Sequence, residues 1–115
     1  MTKATLLFLA GLALPLAAGS APAAGPTVVL TLRNHRYEPS VITVPAGQRV
    51  HVHLVNQDGA AEEFDSSDMG VEEDVTPHGV ADFSIGPLRP GGYAFMGEAH
   101  PATAEGRITA VAAAR

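Results

Sequence analysis

Three groups of residues in this sequence have the types and spacing to do chemistry. The first is acidic. Asp58, Glu62, Glu63, Asp65, Asp68, Glu72, Glu73 and Asp74 place eight carboxylates within seventeen residues, and no Lys or Arg occurs between Arg49 and Arg89. Like charges at that density repel, so an ordered segment needs either a bound cation or screening by salt. The second is Met96-Gly97-Glu98-Ala99-His100-Pro101, followed by Glu105. A thioether, an imidazole and two carboxylates on one inter-strand loop form a reasonable ligand set for a first-row transition metal. The third is the His51-x-His53 pair, whose spacing puts both rings on one face of a strand. Arg49 shares that face and no carboxylate is adjacent in sequence, so the pair reads as part of a polar sheet face. Asp82 reads as a partner for an Arg, and His35 and His78 as surface residues in turn-rich loops.

Other chemistries find little support. There is no cysteine, no G-x-S-x-G, no phosphate loop and no H-E-x-x-H. Ser66 and Ser67 sit among carboxylates that oppose ionisation of a hydroxyl. Seven basic against twelve acidic residues give a formal net charge of −5, the wrong sign for gripping a phosphate backbone, so nucleic acid is excluded as a partner.

The elements that must position these groups follow a leader. Residues 1–23 have the layout of a cleavable secretory signal peptide: Lys3, an apolar run from Ala4 to Ala18, and an A-x-A site at Ala21-Pro22-Ala23. Residues 24–115 then form one exported domain whose stability must come from packing, a bound metal or both. Short β-branched runs alternate with Gly/Pro turns, the pattern of an all-β sandwich. Strands are expected at 27–33, 41–44 and 49–56, in a short stretch ending at Phe64, and at 80–85, 93–96 and 107–111. Asp65 to Thr76 lacks a period of two and reads as a helical turn or an ordered loop. About seven strands without a long helix point to a two-sheet Greek key.

Tyr37-Glu38-Pro39, Val44-Pro45-Ala46-Gly47-Gln48, Val55-Asn56, Glu63-Phe64-Asp65-Ser66, the Gly86-to-Tyr93 segment GPLRPGGY and Gly97-Glu98-Ala99-His100 together resemble a cupredoxin-like domain. More narrowly they resemble the EfeO-type group, which includes small periplasmic cupredoxins accompanying bacterial ferrous-iron transporters of the Ftr type. The resemblance spans roughly residues 27–112. It implies that Glu63 stands at the first ligand position of blue-copper relatives, Met96 near the cysteine, His100 at the second histidine and Glu105 near the axial methionine. Without a thiolate the site is harder and suits Cu(II) or iron. Glu63, Glu72, Glu98 and His100 are the leading metal ligands, with Asp68, Met69 and Met96 as secondary candidates. The implied function is a periplasmic protein assisting ferrous iron oxidation and uptake, partnered by an iron permease and a periplasmic iron-binding protein and touching the membrane only through the transporter. A redox-silent copper or iron carrier or sensor is the alternative, and a sandwich that only contacts other proteins is a third.

Overall fold

The computed structural model describes residues 25–113, and the expected signal peptide lies outside them. Nine strands form two sheets. They are β1 (Thr27–Arg33), β2 (Arg36–Glu38), β3 (Val41–Pro45), β4 (Val50–Asn56), β5 (Glu62–Ser66), β6 (Val71–Val75), β7 (Val80–Ile85), β8 (Gly91–Gly97) and β9 (Glu105–Val111). One sheet has the order β2-β1-β4-β7 and the other β3-β9-β8-β5-β6. The all-β two-sheet architecture agrees with the sequence pattern. Two strands exceed the expected seven. β2 is a three-residue edge strand whose only inward side chain is Tyr37, and β6 replaces part of the helical turn or ordered loop expected within 65–76.

β6 hid its period because it is an edge strand. Its alternation is carried by carboxylates: Glu72 and Asp74 face solvent, and Val75 is buried. Charged side chains on an edge also block pairing with another chain. The other strands follow their apolar periods. Val50, Val52 and Leu54 of β4 pack inward together with Leu30 and Leu32 of β1, across a parallel pairing that joins Leu30 to Leu54. The centre of the core is aromatic. The Phe64 ring lies 5.0 Å from those of Phe83 and Phe95, and the Tyr37 ring packs edge-on to Phe64 and Phe95.

Two local devices position the end of the sandwich where β5 begins. β1 and β2 are joined by Asn34-His35, both at positive φ (53° and 56°), which is a type I′ hairpin turn. The Asp58 carboxylate holds this turn by accepting from the Asn34 N–H (2.7 Å) and the His35 N–H (2.9 Å). Asp58 is placed in turn by the buried Asn56, whose amide donates to the Ala60 and Thr76 carbonyls and whose Oδ1 accepts the Asp58 N–H.

Candidate metal centre

Phe64 fills the core, so strand alternation turns Glu62 and Ser66 inward and Glu63 and Asp65 outward. Glu62 is 4% exposed. Its Oε1 accepts the Glu63 N–H at 3.0 Å and the Ala99 N–H at 2.8 Å, and its Oε2 lies 2.8 Å from His100 Nδ1. With a carboxylate as acceptor, Nδ1 carries the proton and donates. The sandwich therefore does bring an acid of β5 to the imidazole of the β8–β9 loop. That acid is Glu62, not its neighbour Glu63.

The same one-residue phase shift applies at the other two positions drawn from the resemblance. Phe95 is buried, so Met96 points outward, 40% exposed, and the inward position is Gly97. A Cβ on Gly97 would stand 2.5 Å from Glu62 Cδ and 2.8 Å from the Ala104 Cβ, so the carboxylate occupies the room a side chain at 97 would need. Glu105, the first residue of β9, is exposed, and Ala104, just before the strand, is buried. Glu62, Gly97 and Ala104 thus face the interior, each next in sequence to a position drawn from the resemblance, Glu63, Met96 and Glu105.

The outward-facing candidates form a set of their own. Glu63 sits opposite Asp74, and Met96, Asp65 and Glu72 lie in one row across β8, β5 and β6. Glu98 joins them through its N–H, which donates to the Glu63 carbonyl at 2.9 Å, and through its carboxyl, which shares a hydrogen bond with that of Glu63. That shared bond, with smaller contributions from desolvation and from the charges of Glu98, Asp74 and Glu72, raises the Glu63 carboxyl to about 7. Asp68 and Met69 lie elsewhere. They occupy the β5–β6 turn, about 13 Å of strand from Glu62. Asp68 accepts the Ala94 N–H, and Met69 packs against the core.

Two groups that the sequence left aside line the centre. The His35 ring stacks on His100 with centroids 3.7 Å apart and planes 15° from parallel, while its Nδ1 lies 3.5 Å from Asp58 Oδ2. Asp58 is held below the ordinary carboxylate range chiefly by the His35 N–H. Tyr37 Oη is buried and, among the described residues, is the one side-chain polar atom there without a hydrogen-bond partner. Burial, and then the charge of Glu62, push its phenol well up. Tyr37 also lines a cleft along β2, β8 and β9.

The donor set here is one carboxylate and one imidazole, with a second imidazole stacked on the first. It fits Cu(II) or iron through oxygen and nitrogen and does not fit the thiolate–thioether set of blue copper, because Gly97 and Ala104 offer no ligand atoms. Among the described residues no cage of three or more His, Asp or Glu stands ready around an ion. That cleft, of about 620 Å³, reaches Arg36, Tyr37, Glu38, Met96 and Arg107 but neither Glu62 nor His100.

A family model described as a cupredoxin-like domain matches residues 5–110. The chain belongs to the cupredoxin-like domain family. An uncharacterized protein of Rickettsia prowazekii (strain Madrid E) is 35% identical over 81 residues, which is 70% of this chain and 65% of that relative. The cupredoxin-like chain therefore spans about two thirds of the relative's length. Among solved structures, the metal-binding domain of the Streptococcus pneumoniae D39 Cu(I)-exporting P-type ATPase CopA, with Cu(I), superposes with a TM-score of 0.65 at 16% identity, covering 76% of this chain and 87% of that one. Auracyanin A, a blue copper protein from Chloroflexus aurantiacus, gives 0.65 at 12% identity over 76% and 100% of the two chains. At those identities the likeness is one of fold, and it agrees with the two sheets described above.

Proposed function

We propose that this cupredoxin-like protein is an exported, periplasmic metal-binding protein that assists ferrous iron oxidation and uptake through a membrane iron permease. The observation that carries the proposal is the buried Glu62 carboxylate fixed 2.8 Å from His100 Nδ1. Copper bound there would supply a one-electron acceptor. Glu62 would give charge, held in place by the Glu63 and Ala99 N–H groups, and His100 would give nitrogen, its ring pinned by the His35 stack.

The outer carboxyls serve the substrate. Glu63 and Glu98 share a proton that a dication can replace, and Asp65, Glu72 and Asp74 on the same face attract cations before contact. Ferrous iron at Glu63 and Glu98 would lie one residue from Glu62 and two from His100, losing one electron and leaving as ferric iron toward the permease or an associated periplasmic iron-binding protein.

A second reading rests on Gly97 and Ala104. Because neither supplies a ligand, the inner centre has only two conventional donors, an arrangement that favours exchange and thus a redox-silent carrier of copper or iron. Anaerobic addition of ferrous iron to the Cu(II)-loaded protein separates the two. The redox reading expects the Cu(II) paramagnetic signal to disappear with one iron oxidised per copper reduced. A persistent signal overturns that reading in favour of the carrier.

A further inference from the structure

The outer face of the β2-β1-β4-β7 sheet carries a second arrangement, on the opposite side of the sandwich from the acidic patch. His51 and His53 project outward from β4, and Asp82 of β7 is the direct cross-strand partner of His53. Asp82 Oδ1 lies 3.0 Å from His51 Nε2 and 2.7 Å from His53 Nδ1. One carboxylate oxygen thus gathers a nitrogen from each ring. The carboxylate absent from the neighbouring sequence is supplied by the adjacent strand. All three side chains remain accessible, at 41%, 38% and 51% exposure.

We propose that His51, His53 and Asp82 form a second metal site, which takes a divalent first-row ion of borderline softness such as Zn(II), Cu(II) or Ni(II). Two ligands about 2.1 Å from an ion, at 90–110° to one another, stand about 3.0–3.4 Å apart. The observed 3.0 and 2.7 Å separations need little opening to meet that spacing. The three groups close on one another through hydrogen bonds, and among the described residues no ready cage of three ligands is formed. The ion takes the place of the two bridging protons, each imidazole staying neutral with its proton on the other ring nitrogen, Nδ1 of His51 and Nε2 of His53, and the rearrangement is confined to exposed rings on a sheet whose backbone is fixed by pairing on both sides of β4. Two imidazoles and a carboxylate leave the remaining coordination positions to water, so the bound ion stays exchangeable. The donor types differ between the two sites. The sheet face is richer in nitrogen and favours Zn(II) or Cu(II) over iron, whereas the Glu62 centre has one nitrogen.

The test uses Zn(II) alone as probe, on the full chain and in a Glu62→Gln/His100→Ala background that disables the other centre. In that background Zn(II) is expected to load the sheet face, with the His51 and His53 ring-nitrogen resonances shifting on loading and those of His78 unchanged. Adding His53→Ala should weaken binding at least tenfold, and adding Asp82→Asn should weaken it several-fold. Each variant's thermal midpoint confirms that it is folded. The proposal is overturned if the background binds no Zn(II), or if it binds without perturbing His51 and His53. Loss of binding in the background alone would leave the Glu62–His100 reading untouched, because that centre is tested in the parent.

Discussion

Replacing Glu62 by Gln tests whether the inward phase of β5 is the one that binds metal. The Glu62 carboxylate has two jobs, and they fall on different oxygens. Oε1 accepts two backbone N–H groups, while Oε2 faces His100 Nδ1. Glutamine keeps a carbonyl oxygen for the first job and places an amide where Oε2 was, and that amide can donate to the other tautomer of His100. The fold should therefore lose about 1 kcal/mol or less. Alanine, by contrast, strands both N–H groups and the imidazole in a nearly closed site, at about 1–3 kcal/mol for each donor that water cannot reach. Metal binding separates the functions further. An amide is neutral, and losing one charge-assisted ligand is worth about 1.5–3 kcal/mol, or roughly 10- to 150-fold in affinity. Titration of Cu(II) into the parent, Glu62→Gln and Glu63→Gln, with His51→Ala and His53→Ala in all three to remove the sheet-face histidines, should show that drop for Glu62→Gln and less than threefold change for Glu63→Gln. Parent-like affinity in Glu62→Gln together with a large loss in Glu63→Gln would refute the assignment of the inner centre.

The other expectations follow from the same geometry. Gly97→Ala forces a Cβ to within 2.5 Å of Glu62 Cδ, and overpacking of this kind costs about 1–3 kcal/mol. It should lower the thermal midpoint and displace the carboxylate, so that copper affinity falls although no ligand is changed. Asp58→Ala removes the acceptor for the Asn34 and His35 N–H groups and should cost about 1–2 kcal/mol, loosening the His35 stack on His100. Since Asp58 is held below its ordinary 3.8, its contribution is complete above that pH and fades as pH falls through the folded value, which acid unfolding of the parent against Asp58→Asn will show. Glu63 behaves in the opposite sense. Raised from 4.5 to about 7, it retains its proton more tightly when folded, so its stabilising effect is present at low pH and declines between those two values as pH rises. Glu63→Gln should flatten that slope in a series of thermal melts.

How much of this was legible in the sequence depended on where an apolar anchor stood. Val50, Val52 and Leu54 alternate cleanly, and the faces of β4 could be read from them. Pro45-Ala46-Gly47-Gln48 also reads as a turn, and Gly47 does adopt a positive φ of 77°. At Glu62-Glu63 the two neighbours are chemically identical, so composition cannot choose between them. Phe64 can, since a period of two from a core aromatic sends Glu62 inward. Phe95 gives the same signal for Gly97 against Met96. In each case the resemblance to blue-copper relatives favoured the side chain with a ligand atom over the one in phase with the core. The His35 stack and the Asp82 bridge were not readable in this way. They join residues 65 and 29–31 positions apart, and depend on which strands become neighbours.

The inner centre is also where the two sheets are tied together. Glu62 and His100 come from the β3-β9-β8-β5-β6 sheet and its β8–β9 loop, whereas His35 comes from the hairpin of the other sheet. The loop is closed on itself: the Gly97 N–H donates to the Ala104 carbonyl at 2.7 Å, and the Ala104 N–H to that of His100 at 2.8 Å. His100 is consequently fixed before any ion arrives, by its own loop, by the Glu62 carboxylate and by a stacked ring. Preorganisation of this kind lowers the ordering cost of binding without adding ligands. A centre with only one carboxylate and one imidazole can therefore hold an ion more firmly than two flexible donors would. Gly97 and Ala104 add no ligand atoms, so the coordination positions that Glu62 and His100 leave unfilled fall to water or to an incoming group.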